Sequence, residues 1–289
     1  MKRNSKRFNS ELLGIALFIL SSAVSLYLGN SLYGIPGIAA ESSQISIVFV
    51  LYYIIFIVIF TAITIYVVKK HAKVMKAFFL ILVIYMIFFV STVISSIIAT
   101  TLVEYYAIII IMTGGFAYLL LFRDEWYVTD AAGFVMISGA AAILGTILKT
   151  YIALALLIVF AIYDYISVYR TKHMVTLAKA AVDNNFPLMF MLPSRGNLKI
   201  DNLTFDNRGT QDVMMLGFGD MAIPEIFIVS ASLYNMPHFL IFAIMTTAGA
   251  LAALIFLFSF NRGKPAPGLP YINSGVIIGF LIALLIVRF

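Results

Sequence analysis

The 289-residue chain is 63% apolar and only 11% charged, a composition that excludes a soluble globular domain of this length. It contains no cysteine, which excludes disulfides and thiolate chemistry. Its net charge of +6 would also suit a nucleic-acid-binding protein, but the cations lie between long apolar segments, so we interpret the charge as a signal of membrane topology and exclude nucleic acid as a partner.

Long apolar segments follow one another along the chain and predict a polytopic membrane protein. A bilayer core of ~30 Å requires about 20 apolar residues per helix. Nine segments meet this requirement, at residues 12–28, 45–68, 78–100, 103–121, 126–148, 152–169, 213–234, 238–260 and 272–288. Only residues 101–104 separate the third and fourth. The first could instead be a signal peptide cleaved near Ala39 and Ala40, but the length of its apolar run favours a retained helix.

The positions of lysine and arginine predict the side on which each loop lies. With nine spans and an inner N-terminus, 17 of the 19 lysines and arginines lie in inner segments, and only Lys149 and Arg288 lie outside. This distribution follows the positive-inside rule. We therefore predict an all-α, multi-pass protein of the cell membrane, with nine transmembrane helices, a cytoplasmic N-terminus and an extracellular C-terminus.

The predicted spans fall into two groups around one sizeable loop. We expect a six-helix N-terminal part at residues 1–170, a cytoplasmic loop at 171–212 and a three-helix C-terminal part at 213–289. Within the loop, "TKHMVTLAKAAVDNN" extends the sixth helix or lies at the membrane interface, and "FPLMFMLPS" forms an apolar patch bounded by prolines. The remainder is polar and rich in turn formers.

Three acidic residues lie within the predicted spans, whereas the others, Asp130 among them, lie in loops or at helix ends. Asp164 lies ~9 Å from the inner end of the sixth span, and Asp220 lies ~10 Å into the seventh from the same side. Two carboxyl groups at one depth can share a proton, so one activates water while the other polarises a peptide carbonyl. Proton-coupled transporters and leak channels use intramembrane acids too, and that alternative stays open.

Glu225, the third acid within the spans, lies ~140° around the helix from Asp220, and we interpret it as a structural acid.

The residues around Asp220 predict an opened site. Gly217 and Gly219 remove side chains before the acid, so another backbone could approach it closely. Pro224 lacks an N–H, so the carbonyl of Asp220 loses its helical donor and a kink is expected. Ordinary helix packing through small residues is the simpler alternative for a Gly-x-Gly alone.

A proline-rich segment, "GKPAPGLPYINSG", opens the last span. Pro265, Pro267 and Pro270 predict irregular backbone there. Irregular backbone at this depth must be buried in protein or line a wet cavity, so we expect it to face the two aspartates. Its exposed N–H and C=O groups could bind an extended peptide as an added strand.

Three motifs in this order resemble the YD, GxGD and PAL motifs of the presenilin and signal-peptide-peptidase family of intramembrane aspartyl proteases. They are Tyr163-Asp164, Gly217-Phe218-Gly219-Asp220 and Pro267-Gly268-Leu269-Pro270. The resemblance implies that Asp164 and Asp220 are the catalytic pair, that the other GxGD and PAL residues contact substrate, and that Tyr163 and Pro224 support the site. Gly268 replaces the usual alanine of the family, which makes the loop more flexible.

The charge pattern makes the sixth helix run from outside to inside, which is similar to presenilin rather than to signal peptide peptidase. The short termini and loops resemble a compact archaeal homologue, which the resemblance implies is active alone. The implied partners are membrane-spanning protein substrates and the lipid bilayer, and a homo-oligomer stays open.

Other chemistries have weaker support in the sequence. The histidines His71, His173 and His238 are scattered, so we expect neither a metal site nor a cofactor. Gly29-Asn30-Ser31 with His238 is a poor match to a serine protease. A transporter should show repeated halves with broken helices, whereas the special residues here lie in the second half of the chain. The sequence therefore favours the protease.

Overall fold

A computed structural model describes residues 2–33, 35, 47–123, 125–171, 173–193, 213–260 and 267–288. In these ranges the chain is almost entirely helical. The helices are α1 (Lys2–Tyr33), α2 (Ile47–Ile98), α3 (Leu102–Phe122), α4 (Trp126–Ile147), α5 (Thr150–Tyr169), α6 (His173–Asp183), α7 (Phe218–Leu233), α8 (Phe239–Phe260) and α9 (Gly268–Arg288). Two strands, β1 (Met189–Pro193) and β2 (Val213–Gly217), precede α7, and a single 3₁₀ turn, Met236–His238, precedes α8.

Seven helical segments in the described part of the chain are long and apolar enough to cross a bilayer. They are Ser10–Tyr33, Lys70–Ile98, Leu102–Phe122, Trp126–Ile147, Thr150–Tyr169, Met236–Phe260 and Gly268–Arg288. The chain is therefore a multi-pass membrane protein.

The region between the second and third predicted spans is helical rather than an inner loop. α2 runs through both spans, with one non-helical residue, His71 (φ −140°, ψ 59°), at a break between its two halves. By contrast, the predicted boundary between the third and fourth spans is confirmed. Thr101 caps α3 in a capping box, in which the Glu104 N–H donates to Thr101 Oγ1 at 3.2 Å and the Thr101 N–H donates to Glu104 Oε2 at 3.3 Å.

The two strands are the main departure from the predicted fold. β1 lies within the segment predicted as an apolar patch, and β2 occupies the first five residues of the predicted seventh span. They pair antiparallel, with Met189 opposite Gly217 and Pro193 opposite Val213. All of β1 is buried. Pairing gives its backbone groups partners in apolar surroundings, which explains why a strand forms there.

The segments flanking the sheet also differ from expectation. α6 is a separate helix of 11 residues rather than an extension of α5. α7 begins only at Phe218 and contains 16 residues. α9 begins at Gly268, so the expected irregular backbone is wrong for Gly268 to Pro270. Pro270 is compatible with helix because it lies in the first turn, where an N–H has no intrahelical partner.

α7 is the central helix of the fold. It contacts α1, α4, α5, α8 and α9, and 11 of its 16 residues are buried. Near its C-terminal end, the Thr150 hydroxyl donates to the Ser230 carbonyl at 2.9 Å, and the Ser230 hydroxyl donates to the Leu148 carbonyl at 2.9 Å. These bonds fix the C-terminal half of α7 to the junction of α4 and α5.

α8 and α9 pack with their backbones in direct contact. A Cβ atom placed on Gly249 would lie 2.1 Å from the Gly275 carbonyl oxygen, and one on Gly279 would lie 2.1 Å from the Met245 carbonyl oxygen. Small residues allow membrane helices to approach this closely. The contact fixes the position of α9, whose first turn reaches the site described below.

Candidate active site

Asp164 and Asp220 come from two helices that contact each other. Asp164 lies on α5 and is only 3% exposed. Asp220 is the third residue of α7 and is half-buried. Gly217 is the N-cap of that helix, and its N–H interacts with the Asp220 carboxyl group. An acid in the first turn of a helix is stabilised by such unpaired N–H groups and by the helix dipole.

The first turn of α9 joins the two acids. The Leu269 N–H donates to Asp164 Oδ2 at 3.2 Å. A Cβ atom on the preceding residue, Gly268, would lie 2.9 Å from Asp220 Cγ. Consecutive residues of α9 therefore contact both carboxyl groups.

The remaining residues predicted for the site lie at or near this junction. Pro267, Gly268 and Leu269 are buried, and Pro270 is half-buried. Tyr163 is half-buried beside Asp164 in sequence. Pro265 lies outside the described residues. The first turn of α9 is thus adjacent to the two acids, as the sequence predicts, although its backbone is helical.

Gly219, the residue before Asp220, is exposed, and a Cβ atom placed on it would have no neighbour within 4 Å. Pro224 is buried in α7, one turn beyond the acid. Since a proline has no N–H, the Asp220 carbonyl lacks its usual helical donor, as predicted. A half-buried acid beside an exposed glycine can meet water or a peptide.

Phe218, by contrast, faces the protein interior. Its ring packs edge-on against Phe190 of β1, with centroids 4.8 Å apart. A Cβ atom on Gly133 of α4 would lie only 2.4 Å from the same ring, so a residue without a side chain is needed there. The side chain of Phe218 therefore locks the start of α7 against β1 and α4.

Glu225 is fully buried, and Ser21 of α1 donates a hydrogen bond to its Oε1 atom. The contact links α7 to α1. This arrangement fits a structural acid.

Sequence reasoning missed two polar residues near the site. Asn273, one turn after Leu269, donates from Nδ2 to the Leu157 carbonyl at 2.8 Å and so fixes α9 against α5. Asp130, which was placed at a helix end, is only 5% exposed, and its Oδ1 accepts the Met191 N–H at 2.8 Å. A polar residue inside an apolar span is the signal that could have identified Asn273.

The chemistry of the site rests on carboxyl groups. The residues described in the structure contain no cluster of three or more metal-ligating side chains. Two acids in contact with one helix turn are suited to general acid–base catalysis of amide hydrolysis.

Comparison with known proteins agrees with this geometry. A family model described as "Signal-peptide peptidase, presenilin aspartyl protease" matches residues 15–289. Two crystal structures of a presenilin family intramembrane aspartate protease, in space groups C222 and P2, are 24% and 25% identical to this chain. Each match covers 95% of this chain and 98% of the other, with TM-scores of 0.64 and 0.66. No match was found among curated proteins.

Proposed function

The chain belongs to the signal-peptide peptidase and presenilin family of aspartyl proteases, and we propose that Asp164 and Asp220 are its catalytic pair. As a member of that family it is an intramembrane aspartic endopeptidase, a hydrolase that acts on membrane proteins within a lipid bilayer. The observation that supports the assignment of the pair is the contact of Gly268 and Leu269 with the two carboxyl groups.

The proposed reaction uses one proton shared by the two acids. Since like charges held together do not both ionise, one carboxyl group stays protonated while the other is a carboxylate. The carboxylate removes a proton from a water molecule as its oxygen attacks the peptide carbon, and the acid donates a proton to the carbonyl oxygen. The tetrahedral intermediate is a gem-diol, and its collapse breaks the C–N bond. One carboxyl group donates its proton to the leaving nitrogen, while the other carboxylate takes a proton from one hydroxyl of the gem-diol, which becomes the product carboxyl group. The pair is then again singly protonated.

The substrate is expected to bind as an extended strand on β2. Phe218 donates its N–H to the Leu188 carbonyl at 3.1 Å. Hydrogen-bonded and non-bonded pairs alternate in an antiparallel ladder, so Met191 and Met215, three positions along, form a non-bonded pair. The N–H and C=O of Met215 therefore point away from β1. Within the described residues the sheet has two strands, which leaves this edge of β2 unpaired.

The position of the β2 edge supports its role as the substrate site. β2 ends at Gly217, the N-cap of the helix that carries Asp220. A peptide paired with β2 is thus led to the acid, and its own helix must unwind before its carbonyls are free. The proline-rich segment that the sequence suggested stays a second candidate for strand pairing, although the Leu269 N–H is bonded to Asp164.

We further propose that the chain spans the membrane nine times, with the N-terminus inside and the C-terminus outside in the cell membrane, as in presenilin. The first half of α2 and α7, neither of which belongs to the seven long apolar segments, would be the two additional spans. The positive-inside distribution of lysine and arginine supports the orientation. The corresponding domain organisation is a six-helix part at residues 1–170, a cytoplasmic loop at 171–212 and a three-helix part at 213–289.

The proposed activity is tested by incubating the purified protein with a single-span test substrate and identifying the products by mass. We expect two products that meet inside the apolar span of the substrate. Products cut only in the flanking polar segments would contradict the proposal, since the pair lies at the inner end of α5 and the start of α7.

A further inference from the structure

Asp130 is a buried acid that the catalytic mechanism does not use. It lies on α4 and is 5% exposed, and within the described residues its one hydrogen bond is from the Met191 N–H to Oδ1 at 2.8 Å. Its Oδ2 atom is buried and has no hydrogen-bond partner among the described residues. Burying a carboxyl group for a single hydrogen bond is unfavourable for stability. A purpose other than stability is therefore expected.

The hydrogen bond to Asp130 closes one edge of the sheet. Because Met191 and Met215 form a non-bonded pair, the Met191 N–H points away from β2. On that side β1 contacts α4, where Asp130 accepts the N–H. β1 thus has helix α4 and the Asp130 carboxyl group at its outer edge, and in the part of the chain that the structure describes only β2 offers an edge to another strand.

A second contact on α4 holds the start of α7, which follows β2 in the chain. Gly133, one turn after Asp130, receives the ring of Phe218. Residues three apart lie on one face of a helix. One face of α4 therefore fixes both the middle of β1 and the first residue of α7. In the chain, β2 lies between β1 and α7. This face of α4 therefore determines where the open edge of β2 lies relative to Asp220.

We propose that Asp130 is a positioning residue that anchors β1 to α4 and thereby fixes which substrate peptide bond reaches the catalytic pair. The inference rests on the proposed binding of substrate to β2. Without the hydrogen bond to Asp130, β1 can slide on α4. More than one peptide bond of a substrate strand bound to β2 can then lie opposite the aspartates. Cleavage would then occur at several neighbouring bonds of the substrate instead of one main position.

The test compares the product masses of the wild-type protein and four purified variants on one single-span substrate. Asp130→Asn keeps an acceptor oxygen for the Met191 N–H, so we expect the wild-type main product. Asp130→Ala removes the acceptor, and Asp130→Glu displaces it by one methylene, so in both we expect at least a threefold fall in the main product's share and new products from neighbouring bonds. The control is Ser138→Ala, a buried polar residue two turns along α4 whose hydroxyl has no partner in the described residues. It should give the wild-type pattern.

A cross-linking experiment measures the same property without catalysis. Because the chain has no cysteine, Met215→Cys provides a single thiol on β2. In an Asp220→Asn background, we expect a disulfide with one position of a cysteine-scanned substrate, and a spread over adjacent positions when Asp130→Ala is added.

The outcomes separate the inference from the proposed function. A wild-type product pattern in both Asp130→Ala and Asp130→Glu, with a single cross-link position in Asp130→Ala, would overturn the positioning role, while the catalytic pair would stand. Failure of both variants to fold, seen in thermal melts, would overturn it too, because the residue would then be required for folding. Cleavage by the Asp220→Asn protein alone would instead remove the proposed catalytic pair.

Discussion

The space around Asp220 limits the size of the side chain that position 268 can carry. Its carboxyl group is in contact with Gly268, the residue where the family usually has alanine, as the resemblance noted above implies. The structure explains why glycine suits this chain, because a Cβ atom there would lie 2.9 Å from Asp220 Cγ. A small side chain requires the carboxyl group to rotate, and a branched one requires α9 to move.

Graded substitutions at Gly268 test this contact. We expect Gly268→Ala to lower the rate of cleavage several-fold, because the Asp220 carboxyl group can move aside by a few tenths of an ångström. We expect Gly268→Val to abolish cleavage. Initial rates on one substrate, with thermal melts to confirm folding, measure the effect. A fully active Gly268→Val protein would show that α9 does not approach Asp220 as described.

Among single residues, the sequence predicts the two acids that can be recognised by their depth within the apolar spans. Asp164 and Asp220 stand out because both lie inside apolar spans at similar depth. Asp130 does not, because the fifth residue of α4 resembles a helix end in the sequence. Its burial depends on β1, a distant segment that folds over it, and such tertiary contacts have no local signal in the chain.

Among the helices, the pair α8 and α9 has the closest backbone contacts that the structure describes. We expect Gly279→Ala to destabilise the protein by about 1–3 kcal/mol, since its Cβ atom would lie 2.1 Å from the Met245 carbonyl oxygen and the helices must separate. Activity should fall as well, because α9 carries Gly268 and Leu269. Thermal melts and cleavage rates provide the measurements.

Gly115→Ala is the matched control for this substitution. Gly115 lies on α3, and a Cβ atom there has no neighbour within 4 Å. The same chemical change should therefore leave stability and activity near wild type. Equal stability of the two variants would contradict the described packing of α8 on α9.

The helices were largely predictable from apolar runs, whereas the strands were not. "VMMLG" continues directly into the apolar sequence of α7, so periodicity alone could not separate strand from helix in so short a run. "MFMLP" is bounded by loop-forming residues and reads equally as a buried loop or a strand. Their pairing joins residues 189–193 to residues 213–217, and it is this non-local contact that selects the strand conformation.

Across the whole molecule, the asymmetric distribution of lysine and arginine predicts the orientation in the membrane. Single cysteines or tags at Lys73 and near Asn207 should be accessible from the inner side, and one at Asn235 from the outer side. Labelling with an impermeant reagent in oriented vesicles tests this. If positions 73 and 207 were labelled from opposite sides, the nine-span topology would be wrong.

The fold as a whole brings Asp164, Asp220 and the edge of β2 close to the start of α7. In the proposed mechanism, proton exchange at the two acids is the central step and only the singly protonated pair is competent, so activity should follow a bell-shaped dependence on pH. Replacing either acid by its amide keeps shape and hydrogen-bonding capacity but prevents proton exchange.

The most direct measurement is the cleavage of one single-span substrate by purified Asp164→Asn and Asp220→Asn, with Glu225→Gln as the control, and with thermal melts of all three. We expect no cleavage by either aspartate variant, near wild-type cleavage by Glu225→Gln, whose amide oxygen can still accept from Ser21, and melting temperatures close to wild type for the two aspartate variants. Full cleavage by either folded aspartate variant would contradict the assignment of the catalytic pair.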